Sequence, residues 1–210
     1  MRLDPQVSRA KFDREVALLG RQRDVLRSWG AFVADSTYPN VDVVFAPRKP
    51  LKLTMPVAQL SIIVPAHQSL ATGELPVLAA RAFGVRVSLE DFDQRAPSVS
   101  FRDPWTWEFL SADRVPLGQT LDENGRNQLV VLNEHPQTRR PFLCIRGTRE
   151  YHEHPQHTGD EWALYRGDVG LFSVLATVWR TCVELARPNL ILARPGQVQI
   201  QWEAEGAKRL

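Results

Sequence analysis

Apolar positions recur at three-to-four spacing, or its multiples, at Phe12, Val16, Leu19, Leu26 and Trp29. That period puts them on one face of an amphipathic helix. Asp4 and Pro5 supply its start, because the carboxylate can accept from the first free N–H groups and proline is tolerated in the first turn. Gly30 supplies its stop. From Val41 to Phe101 the pattern changes to short β-rich runs, VDVVFA, LKLTMPVAQLSIIV, GVRVSLEDF and PSVSF, which predict a small antiparallel meander. Residues 102–127 carry Trp105, Trp107, Pro104, Pro116 and Gly118 without a period, the pattern of a packed loop excursion. A short strand, QLVVLN, leads into NEHPQTRRPFLCIRG. Leu171, Leu175, Val178, Cys182 and Leu185 then form a second helical stripe, and Pro188 in Arg187-Pro188-Asn189 cannot continue its hydrogen-bond ladder. The last segment, ILARPGQVQIQWEAEG, reads as an edge strand or a partner-binding tail.

Together these elements predict an α+β fold in one domain over residues 1–210, with a core of about 8–190 and a C-terminal extension at 191–210. A chain of 210 residues, 43% apolar and 24% charged, is ordinary for a globular domain with a substantial core. Its net charge of +2 is spread in mixed-sign blocks such as RPFLCIRGTRE, so nucleic-acid binding is not expected. No apolar run approaches the roughly 18 to 20 residues of a bilayer span, and MRLDPQVSRAKFDREV lacks a signal peptide's apolar middle. The expected location is the cytoplasm, without a membrane partner. Arginine dominates the basic residues, a hint of a GC-rich bacterial genome.

Candidate chemistry gathers in one window. Four of the five histidines, His135, His152, His154 and His157, fall near Cys144, Glu150, Glu153 and Asp160. The tight form, CIRGTREYHEHPQHTGDEW, brings a soft thiolate, imidazoles and carboxylates within a loop short enough to fold around one ion. Zinc suits that mix best, and iron(II) is compatible. Cys144, Glu150, His152 and His157 would make a four-ligand set, with Pro155 turning His157 back toward His152 and His154 as the substitute. His152 and His154 would point to opposite faces of an extended segment, so one of them is expected at the ion. Asp160 is a candidate for orienting an imidazole from behind. His135 reads as a loop-holding residue, Cys182 as a small buried side chain, and Trp105, Trp107, Trp162 and Trp179 as core or loop-anchoring groups.

The order Cys144, Glu150, Tyr151, His152, His157, Gly159, Asp160 and Trp162 resembles the predicted metal-binding CEHH domain family, specifically across about twenty residues. Members of that family are encoded beside bacterial ubiquitin-like proteins with their activating enzymes, conjugating enzymes and JAB-type peptidases, so the resemblance implies a ubiquitin-like protein or its enzymes as partners. The whole chain is also similar to a ubiquitin-conjugating enzyme: helix, meander, PSVSF, then His135-Pro136-Gln137 before Cys144, then LFSVLATVWRTCVELARPN. On that similarity Cys144 would match the thioester-forming cysteine. Gln137 replaces the motif's asparagine, and Trp162 stands about ten residues further from the cysteine, across an insertion holding Glu150, His152, His154 and His157.

The resemblances imply a UBC-like domain whose cysteine site has become a metal site, acting as an accessory or regulator of a ubiquitin-like pathway. The alternatives are an active conjugating enzyme carrying a ubiquitin-like protein as a thioester on Cys144, and a metal-dependent hydrolase with Glu153 or Glu150 as base.

Overall fold

The structure, a computed structural model, describes residues 3–46, 82–112, 114–116, 118–121, 127–184, 186–194 and 197–204. Helix α1 (Pro5–Gly20) begins as its sequence requires, with Asp4 Oδ1 accepting from the N–H groups of Gln6 at 2.8 Å and Val7 at 3.4 Å. The single helix expected through Trp29 is instead two. Arg21 and Gln22 switch to i→i−3 bonds on Leu18 and Leu19, and α2 (Arg23–Ser28) follows as a separate short turn. Gly30 then ends it at φ +70°, a conformation glycine adopts without steric cost.

Four strands follow in sequence order as an antiparallel meander: β1 (Ala31–Thr37), β2 (Asn40–Phe45), β3 (Phe83–Ser88) and β4 (Ser98–Arg102). β1, the run AFVADST, was not among the expected strands because only Ala31 at its start is buried. The expected strand LKLTMPVAQLSIIV lies outside the described residues. Strand alternation sorts the sheet into two faces. Val43 pairs with Val85 and Val85 with Phe101, so Val41, Val43, Val85, Val87, Val99 and Phe101 all face the core. Asp42, Arg86, Ser88, Ser98, Ser100 and Arg102 occupy the alternate positions, and Asp42 is buried there because Arg86 grips it through two bonds of 2.7 Å.

Beyond β4 the excursion contains the hairpin β5 (Gln119–Leu121) with β6 (Asn127–Leu129), and QLVVLN divides between β6 and β7 (Val131–Leu132). β7 pairs with β8 (Phe142–Leu143). A short helix α3 (Arg149–His152), two single 3₁₀ turns and helix α4 (Leu171–Trp179) complete the core, and a π-helical turn over Arg180–Glu184 extends α4. Leu171, Val174, Leu175 and Val178 are buried along α4 as the stripe requires, and Trp29 stacks on both Phe172 (5.4 Å) and Trp179 (4.8 Å). The last segment is a strand hairpin, β9 (Ala186–Arg194) with β10 (Gln197–Ala204). No helix among the described residues is long and apolar enough to cross a membrane.

Helix α4 is fastened to α1 at its first residue. Glu15, buried on α1, accepts the Leu171 N–H on Oε2 at 3.0 Å, a carboxylate at the positive end of a helix. A Cβ on Gly170 would stand 2.8 Å from that same oxygen. Gly170→Ala should therefore displace Glu15 and cost about 1.5–3 kcal/mol, the worth of a hydrogen bond to a charged group. Urea unfolding checks this, and in a Glu15→Ala background the same substitution should cost only a fraction as much.

Candidate functional site

The β7–β8 pair delivers Cys144 to the head of the histidine-bearing loop. Its N–H donates to the Val130 carbonyl at 2.7 Å, which fixes the backbone where β8 ends. Thr148, buried, then closes the turn by donating its hydroxyl to the Leu143 and Ile145 carbonyls. Gly147 adopts φ +98° in this turn and donates its N–H to His152 Nε2 at 3.2 Å.

The loop is tied to the turn before β4 mainly through main-chain acceptors. The Arg149 N–H donates to the Pro97 carbonyl at 2.8 Å, and its guanidinium reaches the carbonyls of Ala96 and Glu90 at 3.1 and 2.8 Å. Trp162, buried, donates Nε1–H to the Asp93 carbonyl at 3.2 Å. Trp162 and Trp179 thus anchor the fold as their composition suggested, whereas Trp105 is 85% exposed and anchors nothing by burial.

The central contact is Cys144 Sγ to His157 Nε2, 3.3 Å apart. His157 lies flat on the Tyr151 ring at 3.8 Å, and His154 stands one turn away with its ring 5.6 Å from that of His157. His154 commits Nδ1 to the Gln156 N–H and stacks on Phe142. Burial pushes the half-buried Cys144 thiol up. Burial, and then the neighbouring His154, push His157 down. Both shifts favour the neutral forms, a thiol beside an imidazole.

The other two members of the expected ligand set face elsewhere. The Glu150 carboxylate turns to β4, accepting from the Ser98 hydroxyl and from the Val99 N–H at 3.1 Å, and burial pushes its carboxyl up despite those bonds. His152 uses both ring nitrogens within the loop, since Nδ1–H donates to the Asp160 carbonyl at 2.7 Å while Nε2 accepts from Gly147. Asp160 therefore orients an imidazole through its carbonyl. Its carboxylate instead accepts from Tyr151 at 2.7 Å and Arg146 at 3.1 Å, and hydrogen bonds from Tyr165 and Tyr151 hold it down to about 2. Among the described residues no three His, Cys, Asp or Glu side chains gather as an ion-holding group. In this arrangement the donors that fit a metal are Cys144 and His157, with His154 next to them.

His135 is buried and holds the loop, Nε2–H donating to the Glu150 carbonyl and Nδ1 accepting from Gln137, both at 3.2 Å. Glu153 is paired with Arg95 at 2.5 Å, and Cys182, buried on the extension of α4, has its thiol pushed up to about 12. Sequence reasoning missed the stacking of Tyr151 under His157 and a second polar cleft behind Glu150, whose arginines lie on β3, on β4 and in the loop before β8. Strand alternation was the one available signal for it.

Comparison with known proteins places this loop in a wider group. The chain is 27% identical over 183 residues to the uncharacterized protein y4jH of Sinorhizobium fredii (strain NBRC 101917 / NGR234), an alignment covering 79% of this chain and 76% of that protein. The model of the Y4jH-like family matches residues 3–68 and 71–185, a span that includes the entire cysteine–histidine loop. The chain belongs to the Y4jH-like family.

Proposed function

We propose that this chain is a metal-binding accessory or regulatory protein of a bacterial ubiquitin-like conjugation pathway, working in the cytoplasm, with its ion held by Cys144 and His157 and with His154 as the next donor. The observation that carries the reading is the 3.3 Å approach of Cys144 Sγ to His157 Nε2, beside His154 on the adjoining turn. Zinc or iron(II) matches a sulfur and imidazole donor set. A bound ion would hold Cys144 as thiolate and fix the loop around it. Glu150 and His152 then frame the site, one bracing α3 against β4 and the other closing the Gly147 turn. The UBC-like reading is supported by the order of elements: helix, four-strand meander in sequence order, a His-Pro turn, the cysteine, then a helix. The ubiquitin-like pathway rests on the CEHH resemblance of the Cys144–Trp162 segment.

Elemental analysis of untagged protein tests the proposal. We expect about one equivalent of zinc or iron, lost in Cys144→Ser and in His157→Ala but retained in Glu150→Gln. Protein without metal, or metal retained in both Cys144→Ser and His157→Ala, would overturn it. A second reading is favoured by the half-exposed position of Cys144 after the His-Pro turn: a ubiquitin-like protein carried as a thioester. That reading gives a reducible adduct on incubation with the activating enzyme and a ubiquitin-like protein, absent in Cys144→Ser.

A further inference from the structure

The polar face of the β3–β4 pair is only partly open to solvent. It walls a half-open cleft of about 350 Å³ that is lined on the other side by Phe109, Thr138, Arg140, Pro141 and Phe142. That volume is at the small end of the range of about 300–1,000 Å³ typical of small-molecule sites. Hydroxyls of Ser88, Ser98 and Ser100 and the amide of Asn40 line it, so its wall is rich in groups that both donate and accept.

Its charge is unbalanced. Arg86, Arg102 and Arg140 all line the cleft. Asp42 neutralises Arg86, and Glu150, whose carboxylate is held by Ser98 and Val99, also lines the cleft, so three guanidiniums less two carboxylates leave one positive charge with Glu150 ionised and two with it protonated. Arg102 donates only to uncharged acceptors, Ser100 Oγ and the Trp107 carbonyl, each at 3.2 Å. Arg140 has no carboxylate partner among the described residues. The Arg102 and Arg140 guanidinium carbons stand 3.4 and 3.5 Å from the centroid of the Phe109 ring, too close to share one face, so they flank it. This double cation–π contact holds two like charges apart at a fixed spacing. Burial, and after it repulsion from Arg86 and Arg140, bring Arg102 down to about 10.

We propose that this cleft binds the phosphate group of a small phosphorylated molecule, with Arg102 and Arg140 as charge partners and the Ser88 and Ser100 hydroxyls as further donors. Arg102 and Arg140, two guanidiniums that no carboxylate engages among the described residues, suit the charge of a phosphate monoester near neutral pH, and guanidinium geometry suits its oxygens. A simple carboxylate carries half that charge. The site is distinct from the Cys144–His157 pair, neither of which lines the cleft, while Phe142 lines it and stacks on His154.

Isothermal titration of the full chain with inorganic phosphate, and separately with acetate, tests the proposal. Phosphate should bind about tenfold more tightly than acetate, and Arg140→Ala should weaken it by about tenfold. Arg140 is exposed and meets the Phe109 ring, so its removal should move the unfolding midpoint only slightly. Ser100→Ala gives a second, smaller loss. Cys144→Ser should bind phosphate like the wild type, which separates this site from the metal proposal. Absence of phosphate binding at millimolar concentration, equal binding by Arg140→Ala, or acetate binding as tight as phosphate would each overturn it.

Discussion

Phe142→Ala should be among the most destabilising substitutions in this protein, lowering stability by about 3–5 kcal/mol. Phe142 is 1% exposed on β8, and its ring meets His135 edge-on at 4.8 Å and His154 face-on at 5.7 Å. Truncation leaves a cavity between the cleft and the histidine loop, and β8 is only two residues long, so few neighbouring backbone bonds resist its loss. For a domain whose total stability is about 5–15 kcal/mol, that is a large fraction. Urea unfolding followed by tryptophan fluorescence checks it. A midpoint within experimental error of the wild type would mean that the β7–β8 pair does not hold the loop.

Glu150 gives the second large effect, and two substitutions should move in opposite directions. Glu150→Ala removes the acceptor of the Val99 N–H on a strand whose Val99 is buried, and should cost about 1–3 kcal/mol for the unsatisfied donor. Glu150→Gln keeps an oxygen there and removes a charge that burial disfavours. The sign with pH follows from the raised carboxyl. The folded chain binds this proton more tightly than the unfolded chain, whose ordinary value is 4.5. The associated stability is present below pH 4.5 and is lost as pH rises through the folded value. Glu150→Gln should therefore flatten this part of the profile and gain on the wild type between pH 5 and 8, measured as urea midpoints. A wild type that instead becomes more stable relative to Glu150→Gln as pH rises would show that the carboxylate is favoured as the charged form.

How much of this could be read from the chain alone differs by element. The 3.6-residue stripes of α1 and α4 and the two-residue alternation of β2 to β4 follow from burial on one face, and each was legible. The break at Arg21 and Gln22 was not, although Gly20 stands immediately before it, because the apolar spacing runs on through Leu26 and Trp29. β1 hides because an edge strand with one buried residue carries no apolar alternation. In the site, the cluster itself was visible as composition, and Cys144 with His157 came together. Which carboxylate or imidazole turns inward was not visible, since a one-turn helix at Arg149–His152 sends Glu150 to β4 and leaves His152 to close the Gly147 turn. The arginine cleft depends on strand register between residues far apart in sequence.

The way the cysteine–histidine loop is fastened has a consequence for how the chain can drift. Its main anchors, Arg149 and Trp162, donate to the carbonyls of Glu90, Asp93, Ala96 and Pro97. Every residue type offers a carbonyl, so these bonds ask only that the turn keep its path. The Glu90 and Asp93 side chains are thereby released from this duty, and variation among relatives should accumulate there sooner than at the buried Phe92 and Ala96 or at Arg149 and Trp162, whose side chains make three of the four bonds. These four bonds are specified from the loop alone, beside the Arg95–Glu153 ion pair that draws on both partners.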